Sequence, residues 1–176
     1  MAYERKSGYN RAMQKALFLD RDGVINEDLG YVYEARNFKF CEGIFEALAN
    51  FSARGYKLIV ITNQSGIGRG YYTERQFEIL NEFMLGEFKK RGVTIDEVYF
   101  CSHAPEDNCE CRKPRPKMIL EAARKFSVDL ERSIMIGDKQ SDIDAATAAG
   151  VGRKFLIDGA SFKSVRQIYE TIKDEI

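Results

Sequence analysis

The chain has 176 residues, a length typical of one domain, and its 27 lysines and arginines balance its 27 aspartates and glutamates. The balance argues against a dedicated nucleic-acid-binding protein, and no apolar run is long enough to span a membrane. Residues 1–14 form a polar leader without the apolar segment of a secretory signal, so we expect a single cytoplasmic domain over residues 15–176.

Strand-like and helix-like segments alternate along the chain. Short apolar runs predict strands at 15–19, 56–61, 96–100, 133–136 and 153–157, and the run at 56–61 is β-branched and nearly all apolar. Apolar residues at helical spacing predict helices at 42–54, 73–90, 118–126, 141–149 and 161–173. Residues 23–39 and 62–70 are predicted as loops. This alternation is typical of an α/β protein whose parallel strands are joined by right-handed crossovers.

Residue types at the ends of the helices support these boundaries. Thr73 and Gln76 have the spacing of a capping box. Gly55, Gly92 and Gly150 follow the ends of three predicted helices, where glycine commonly terminates a helix.

A polar group follows each of the first four predicted strands. The groups are Asp20 with Asp22, Thr62 with Asn63, Arg112 with Lys113, and Asp138 with Asp142. The carboxyl ends of parallel strands lie on one edge of a sheet, so the four groups are predicted to meet in one crevice. Each group alone is more typical of a turn, a surface lysine or an acid at a helix start; only their combination indicates a site.

The combination fits phosphoryl transfer. Asp20 can attack phosphorus and form an aspartyl phosphate, while Asp22 can protonate the leaving oxygen and later activate water. A hard cation such as Mg²⁺, held by few carboxylates including Asp138, would neutralise the charge between Asp20 and a phosphate dianion. Thr62 and Lys113 can bind the oxygens of the transferring group.

Three of the four cysteines are close together in the sequence with the only histidine. Cys101, His103, Cys109 and Cys111 offer three thiolates and one imidazole, the donor set of a closed structural zinc site. The alternative is three reduced cysteines and an exposed histidine. Cys41 is distant in sequence and is interpreted as a buried small hydrophobic residue. Because the cysteine-rich segment ends at Arg112 and Lys113, bound zinc would hold these two cations in place.

These motifs resemble those of the haloacid dehalogenase superfamily of phosphatases. Within it, Asp20-Arg21-Asp22-Gly23, Thr62-Asn63-Gln64-Ser65-Gly66, Cys-x-His with Cys-x-Cys-Arg-Lys-Pro, and Gly137-Asp138-Lys139 are similar to the D-glycero-D-manno-heptose 1,7-bisphosphate phosphatases. The resemblance covers about residues 16–157. It implies a Rossmann-like core with sheet order 5-4-1-2-3, Mg²⁺, structural zinc, and loss of the C7 phosphate from a sugar bisphosphate made for bacterial surface glycans such as lipopolysaccharide.

The resemblance also implies roles for individual residues. Asp20 is the nucleophile and Asp22 the acid/base, while Thr62 and Lys113 hold the phosphoryl group. Mg²⁺ is bound by the Asp20 and Asp138 carboxylates and the Asp22 backbone carbonyl, with Asp142 supporting them from behind. The residues implied to contact substrate are Asp28, Leu29, Gly30, Tyr31, Asn63, Gln64, Ser65, Arg69, Arg112 and Lys139.

The spacing of the motifs indicates how open the predicted site is, and residues of the loops indicate which substrate it binds. Only 42 positions separate Asp20 from Thr62, which leaves no room for a large cap domain, and we expect an open crevice in a monomer. A histidinol-phosphate phosphatase is the nearest alternative, since it shares the zinc segment and the chemistry. The segments 30–32 and 66–70 favour the heptose bisphosphate, with Arg69 as a cation for its second phosphate. A non-catalytic, zinc-organised binding protein is a further alternative.

Overall fold

The computed structural model describes residues 13–176. The predicted leader therefore lies outside the described residues, apart from Met13 and Gln14. Gln14 forms a parallel one-residue bridge with Val128, so at this point the chain is already paired with the domain.

Five parallel strands form one sheet in the order β3-β2-β1-β4-β5, which confirms the predicted order. The strands are β1 (Ala16–Leu19), β2 (Lys57–Asn63), β3 (Glu97–Cys101), β4 (Ile134–Gly137) and β5 (Arg153–Leu156). In the central register, Leu17 of β1 is paired with Leu58 on one side and Ile134 on the other. The sequentially first strand is thus the middle one, and ligands are expected where its carboxyl end meets those of its neighbours.

Within residues 13–176, six α-helices accompany the sheet. They are α1 (Ile44–Ala53), α2 (Ser65–Gly68), α3 (Glu74–Lys90), α4 (Lys117–Phe126), α5 (Gln140–Ala149) and α6 (Val165–Ile172). Short 3₁₀ turns lie at Ala35–Asn37, Pro105–Asp107 and Lys173–Glu175. The capping box at Thr73 is present, because its hydroxyl accepts from the Gln76 amide while the Gln76 side chain accepts from the Thr73 amide.

Most boundaries lie within two residues of the prediction, and two segments call for comment. The segment 62–70 is not all loop, since β2 extends through Asn63 and one helical turn, α2, follows it. The last helix begins at Val165 rather than near residue 161. The Asp158 carboxylate accepts hydrogen bonds from the amides of Ala160 and Ser161 and holds this segment in a turn. Ser164 then caps the helix.

Helices cover both faces of the sheet because side chains alternate along each strand. Leu17 and Leu19 belong to the core formed with α1, α3 and α6, whereas Ala16 and Phe18 belong to the core formed with α4 and α5. All four are fully buried, and burial of such side chains supplies about 1.5–3 kcal/mol for each large one. The sheet is therefore held from both sides and its strand ends are fixed.

The segment that connects β1 to α1 packs against this core instead of forming a separate domain. Val24, Ile25, Val32 and Phe38 are buried in it, which a polar loop would not require. Only the turn Ala35–Asn37 and α1 lie between β1 and β2, so the prediction that no large cap domain covers the sheet edge is confirmed. Cys41 is half-buried against the same core rather than fully buried as predicted. No helix within residues 13–176 has the length and apolar character needed to cross a bilayer.

Candidate active site

A cavity of about 410 Å³ lies at the carboxyl edge of the sheet. It is lined by residues from all four predicted groups: Asp20, Asp22, Asp28, Gly30, Tyr31, Asn63, Gln64, Ser65, Tyr72, Arg112, Lys113, Lys139, Ser141 and Asp142. The four groups therefore meet in one crevice, as predicted.

Asp20 follows directly on β1, and its amide donates to the Ile136 carbonyl of β4 at 3.0 Å. Its carboxylate is buried, accepts from the Arg21 amide at 2.8 Å and lies 3.0 Å from the Lys113 ammonium. Burial alone would raise the pKa of Asp20, but Lys113 and the Arg21 amide outweigh it and hold the pKa below its usual value. Asp20 is thus an ionised carboxylate with a fixed orientation, as a nucleophile requires.

Lys113 is the cation at the centre of the site and is 3% exposed. Its ammonium lies 2.6 Å from Asp142, 3.0 Å from Asp20 and 2.6 Å from the Ile61 carbonyl. Burial opposes its charge, but the carboxylates of Asp20 and Asp142 prevail and raise the pKa of Lys113. It is therefore charged while buried, which makes it suited to bind phosphoryl oxygens.

Three carboxylates form a group that we term the acid cluster: Asp20, Asp138 and Asp142 have ligand oxygens within 4.8 Å of one another. Burial, followed by the charge of Asp20, raises the pKa of Asp138 to about 7. Its Oδ1 is buried and has no hydrogen-bond partner among the described residues. Crowded, desolvated carboxylates with an unpartnered oxygen fit a hard divalent cation such as Mg²⁺.

Asp142 and Gly23 complete the surroundings of Asp138. One Asp142 oxygen meets Lys113 and the other accepts from the amides of Asp138 and Lys139, so both are engaged as its predicted supporting role requires. Gly23 has a φ of +83°, and a Cβ there would overlap the Asp138 carboxylate. The Asp-x-Asp-Gly motif thus needs glycine both for its turn and for the approach of Asp138.

Asp22 is held by three side-chain donors. Its Oδ1 accepts from Arg21 at 2.9 Å and from Asn26 at 3.0 Å, and its Oδ2 accepts from Gln64 at 3.0 Å. The Gln64 amide also donates to the Thr62 hydroxyl at 2.9 Å, and Thr62 is fully buried. The predicted acid/base is therefore tied to both β1 and β2.

Arg21 is a residue that sequence reasoning missed, because it stands between two acids and has the pattern of a surface position. It is 0% exposed. Its guanidinium donates to the Val32 carbonyl at 2.7 Å and lies 5.9 Å and 5.6 Å from the ring centroids of Phe38 and Phe77. Arg21 therefore fixes the segment that carries the predicted substrate residues 28–31.

The predicted zinc ligands also meet, and we term Cys101, His103, Cys109 and Cys111 the thiol cluster. Their donor atoms all lie within 4.8 Å of one another, and the three sulfur atoms are 3.0, 3.4 and 3.5 Å apart. Tetrahedral zinc with Zn–S bonds of about 2.3 Å needs sulfur atoms about 3.8 Å apart. The donor set thus fits a metal, and the three sulfur atoms lie somewhat closer together than bound zinc would hold them.

The segment 101–113, termed here the metal loop, is bonded to the rest of the site through backbone groups. Asn63 donates to the Lys113 carbonyl at 3.2 Å and accepts from the Lys113 amide at 3.1 Å. The amides of Gln64 and Gly68 donate to the carbonyls of Cys101 and Ser102 at 2.7 and 2.8 Å. Lys113 is therefore positioned by β2 as well as by the thiol cluster.

Eight of the ten residues implied to contact substrate line the cavity, and Leu29 and Arg69 do not. Leu29 is exposed, while Arg69 pairs with Glu106 at 3.3 Å. Tyr72 and Ser141 line the cavity and were not predicted. Ser141 could have been found from its position just after Gly137-Asp138-Lys139, whereas no local pattern distinguishes Tyr72. Contact of any of these side chains with substrate stays a prediction.

A family model described as haloacid dehalogenase-like hydrolase matches residues 4–150 of this chain. A Helicobacter pylori protein, D-glycero-beta-D-manno-heptose-1,7-bisphosphate 7-phosphatase, is 54% identical over 144 residues, covering 81% of this chain and 83% of its own. A Campylobacter jejuni protein, D-glycero-alpha-D-manno-heptose-1,7-bisphosphate 7-phosphatase, is 46% identical over 169 residues, covering 92% and 97%.

A solved structure has the same fold over most of the chain. D,D-heptose 1,7-bisphosphate phosphatase from B. bronchiseptica, complexed with magnesium and phosphate, aligns with a TM-score of 0.84 at 27% identity. The alignment covers 92% of this chain and 99% of that one.

Proposed function

This chain belongs to the haloacid dehalogenase-like hydrolases, and we propose that it removes the C7 phosphate from D-glycero-D-manno-heptose 1,7-bisphosphate. It is a phosphoric monoester hydrolase. The observation that carries the proposal is the meeting of Asp20, Asp22, Lys113 and the acid cluster in one cavity, on a chain so similar to heptose bisphosphate phosphatases. Supply of a heptose for surface glycans is part of the same proposal.

In the first half of the reaction, a carboxylate oxygen of Asp20 attacks phosphorus and the bond to the sugar C7 oxygen breaks. The low pKa of Asp20 keeps this oxygen unprotonated, and Lys113, 3.0 Å away, is placed to bind an oxygen of the transferring group. Asp22 gives a proton to the departing oxygen, since an alkoxide is a poor leaving group. The product of this half is an aspartyl phosphate on Asp20 and a free heptose 1-phosphate.

In the second half, Asp22 accepts a proton from a water molecule that attacks the phosphorus of the aspartyl phosphate. The bond between phosphorus and Asp20 breaks, which regenerates the carboxylate and releases inorganic phosphate. Asp22 thus returns to the protonation state in which it began. Its three donors, Arg21, Asn26 and Gln64, hold it in one orientation through both halves.

We assign Mg²⁺ to Asp20 and Asp138, with the Asp22 carbonyl as a further ligand and Asp142 as their support. Bound there, Mg²⁺ supplies charge neutralisation between the carboxylates and the phosphoryl oxygens. The support is the unpartnered, buried Asp138 oxygen and the magnesium and phosphate in the B. bronchiseptica structure. Removal of Mg²⁺ by a chelator is expected to stop turnover, which phosphate release measures.

We assign Zn²⁺, as a structural ion, to Cys101, His103, Cys109 and Cys111. Four protein ligands leave no open position for water, so the ion would organise the metal loop and not react. The convergence of three sulfur donors and one imidazole supports this assignment. Its consequence for the reaction is the placement of Arg112 and Lys113, which follow Cys111 directly.

The experiment that tests the substrate compares kcat/KM for the α and β heptose bisphosphates and for histidinol phosphate. We expect the bisphosphates to be preferred by orders of magnitude. The two relatives named above act on different anomers, so either anomer preference is consistent with the proposal. A preference for histidinol phosphate would refute it, and absence of turnover on all three would favour the non-catalytic alternative.

We also propose that the protein is a cytoplasmic monomer. A metal site of three thiolates needs reduced cysteines, which a reducing compartment maintains. Size-exclusion chromatography with light scattering would test the monomer, for which a mass near 20.1 kDa is expected.

A further inference from the structure

Tyr72 is a buried aromatic residue of the cavity that takes no part in the steps above. It is 4% exposed, and its ring is stacked on that of Tyr33 with centroids 5.1 Å apart and planes 10° from parallel. A Cβ at Gly66 would overlap the Tyr72 ring, so the glycine after Thr62-Asn63-Gln64-Ser65 leaves space for it. The position of the Tyr72 hydroxyl is therefore fixed by packing on two sides.

That hydroxyl has one hydrogen-bond partner in the part of the chain that the structure describes. It donates to the Oε1 atom of Gln64 at 2.6 Å, and burial raises the pKa of Tyr72 to about 12, so it keeps its proton at neutral pH. The two ends of a glutamine amide have nearly the same shape and differ in that oxygen accepts and nitrogen donates. A hydroxyl can both donate and accept, so the direction of the amide is set by the acceptor-only Asp22 carboxylate at its other end, and the Tyr72 hydroxyl, which donates to Oε1, holds the amide in that orientation.

In the selected orientation the Gln64 nitrogen faces the reacting groups. It donates to Asp22 at 3.0 Å and to the Thr62 hydroxyl at 2.9 Å. In the opposite orientation the amide oxygen would face the Asp22 carboxylate, where the two acceptors repel each other. The orientation of Gln64 thus decides whether the Oδ2 atom of Asp22 is held.

We propose that Tyr72 is a positioning residue. It holds the Gln64 amide against Asp22 and thereby fixes the orientation of the Asp22 carboxyl group, which protonates the leaving oxygen. This inference rests on the proposed function only in giving Asp22 that acid role. It does not depend on the identity of the sugar.

The test uses phosphate monoesters that differ in how much they need an acid. An alkyl ester leaves as an alkoxide and needs the proton from Asp22, whereas p-nitrophenolate leaves readily without one. The variant is Tyr72→Phe, which removes one oxygen and keeps the ring. Single-turnover measurements with an alkyl phosphate and with p-nitrophenyl phosphate isolate the first half of the reaction.

We expect Tyr72→Phe to slow the alkyl ester about tenfold, a part of the roughly 10²–10⁴-fold that acid–base catalysis contributes, and p-nitrophenyl phosphate less than about twofold. Gln64→Glu, which replaces the donor by an acceptor, should give the same selectivity with a larger loss. The matched control is Tyr33→Phe, because the Tyr33 hydroxyl makes no hydrogen bond within residues 13–176. It should change neither rate.

Equal losses on both esters in Tyr72→Phe, or no loss on either, would overturn the inference. If the wild type cleaves both esters but not the heptose bisphosphate, the proposed substrate fails while the comparison of esters still decides the role of Tyr72. Absence of activity on every monoester would overturn both proposals.

Discussion

The acid cluster and the thiol cluster lie at the same edge of the sheet and are built in opposite ways. The acid cluster takes Asp20 from the end of β1, Asp138 from the end of β4 and Asp142 from the first turn of α5, so only the folded domain brings its members together. The thiol cluster takes all its donors from the metal loop, between residues 101 and 111. The fold positions the residues of the acid cluster. The thiol cluster, by contrast, would fix the conformation of the metal loop once a metal is bound.

Under the proposed assignments, the acid cluster takes part in the reaction and the thiol cluster stabilises the structure around it. Buried, like-charged oxygens cost stability, so they are found where a cation and a phosphate must be bound. A metal bound to the soft sulfur donors would give a loop with little secondary structure the order that strands give elsewhere. The two clusters meet at Lys113, which ends the metal loop and contacts Asp20 and Asp142.

The largest effect is expected within the acid cluster. Asp20→Asn should lower turnover by on the order of 10⁴-fold or more, because an amide cannot form the aspartyl phosphate. Phosphate release measures the loss, and circular dichroism should show the same fold. Metal content of the thiol cluster should not change. Retention of near-normal phosphate release would rule out Asp20 as the nucleophile.

Lys113→Met removes the link between the two clusters. We expect turnover to fall about 10²–10³-fold. Without Mg²⁺, the free energy of unfolding should also fall by about 3–5 kcal/mol, since the buried Asp20 and Asp142 carboxylates lose their partner. Urea unfolding with and without Mg²⁺ checks this, because added Mg²⁺ should restore part of the loss. Unchanged stability without Mg²⁺ would show that Lys113 does not hold the acid cluster.

Cys109→Ala tests the thiol cluster, and Cys41→Ala is its matched control because Cys41 lies outside that cluster. Cys109→Ala should lose the bound metal and about 3 kcal/mol of stability, or about 6–12 °C in melting temperature. Turnover should fall about tenfold through displacement of Lys113, while Cys41→Ala keeps the metal. Elemental analysis and thermal unfolding provide the readouts. Wild-type protein without zinc would exclude the zinc assignment.

The smallest effects are expected for Arg112 and Arg69, and they distinguish the roles of these two side chains in substrate binding. Arg112 lines the cavity, so Arg112→Ala should raise KM about tenfold or more through loss of a charge-assisted hydrogen bond worth about 1.5–3 kcal/mol. Arg69→Ala should raise KM less than about threefold, because Arg69 makes a surface pair with Glu106 worth at most about 1 kcal/mol. The reverse order would assign the second phosphate to Arg69.

Much of the fold and the convergence of the site could be predicted because both depend on local patterns. Alternating apolar runs place the strands, and a parallel sheet brings every strand end to one edge, so Asp20 and Asp138 could be placed together without coordinates. The thiol cluster could be predicted equally well, because its donors are close together in the sequence. The start of α6 was not predicted, because a side chain outside the helix, Asp158, sets it.

The parts that were not predicted depend on side-chain contacts that no local sequence pattern signals. Arg21 is buried only because Phe38 and Phe77 cover it, and neither is near it in sequence. Tyr72 reaches Gln64 only because Gly66 leaves room for its ring. Position relative to a strand end predicts which residues can react, but not which neighbours orient them.

No separate domain covers the cavity at Asp20 within residues 13–176, and this bears on the pace of the proposed catalytic cycle. With no domain that must swing aside, water would reach the proposed aspartyl phosphate and inorganic phosphate would diffuse away without a prior opening step. Enzymes with closing lids are often limited by such openings. For this chain, the slow step should instead be bond breaking or the detachment of phosphate from the bound cation, and kcat should show little dependence on solvent viscosity.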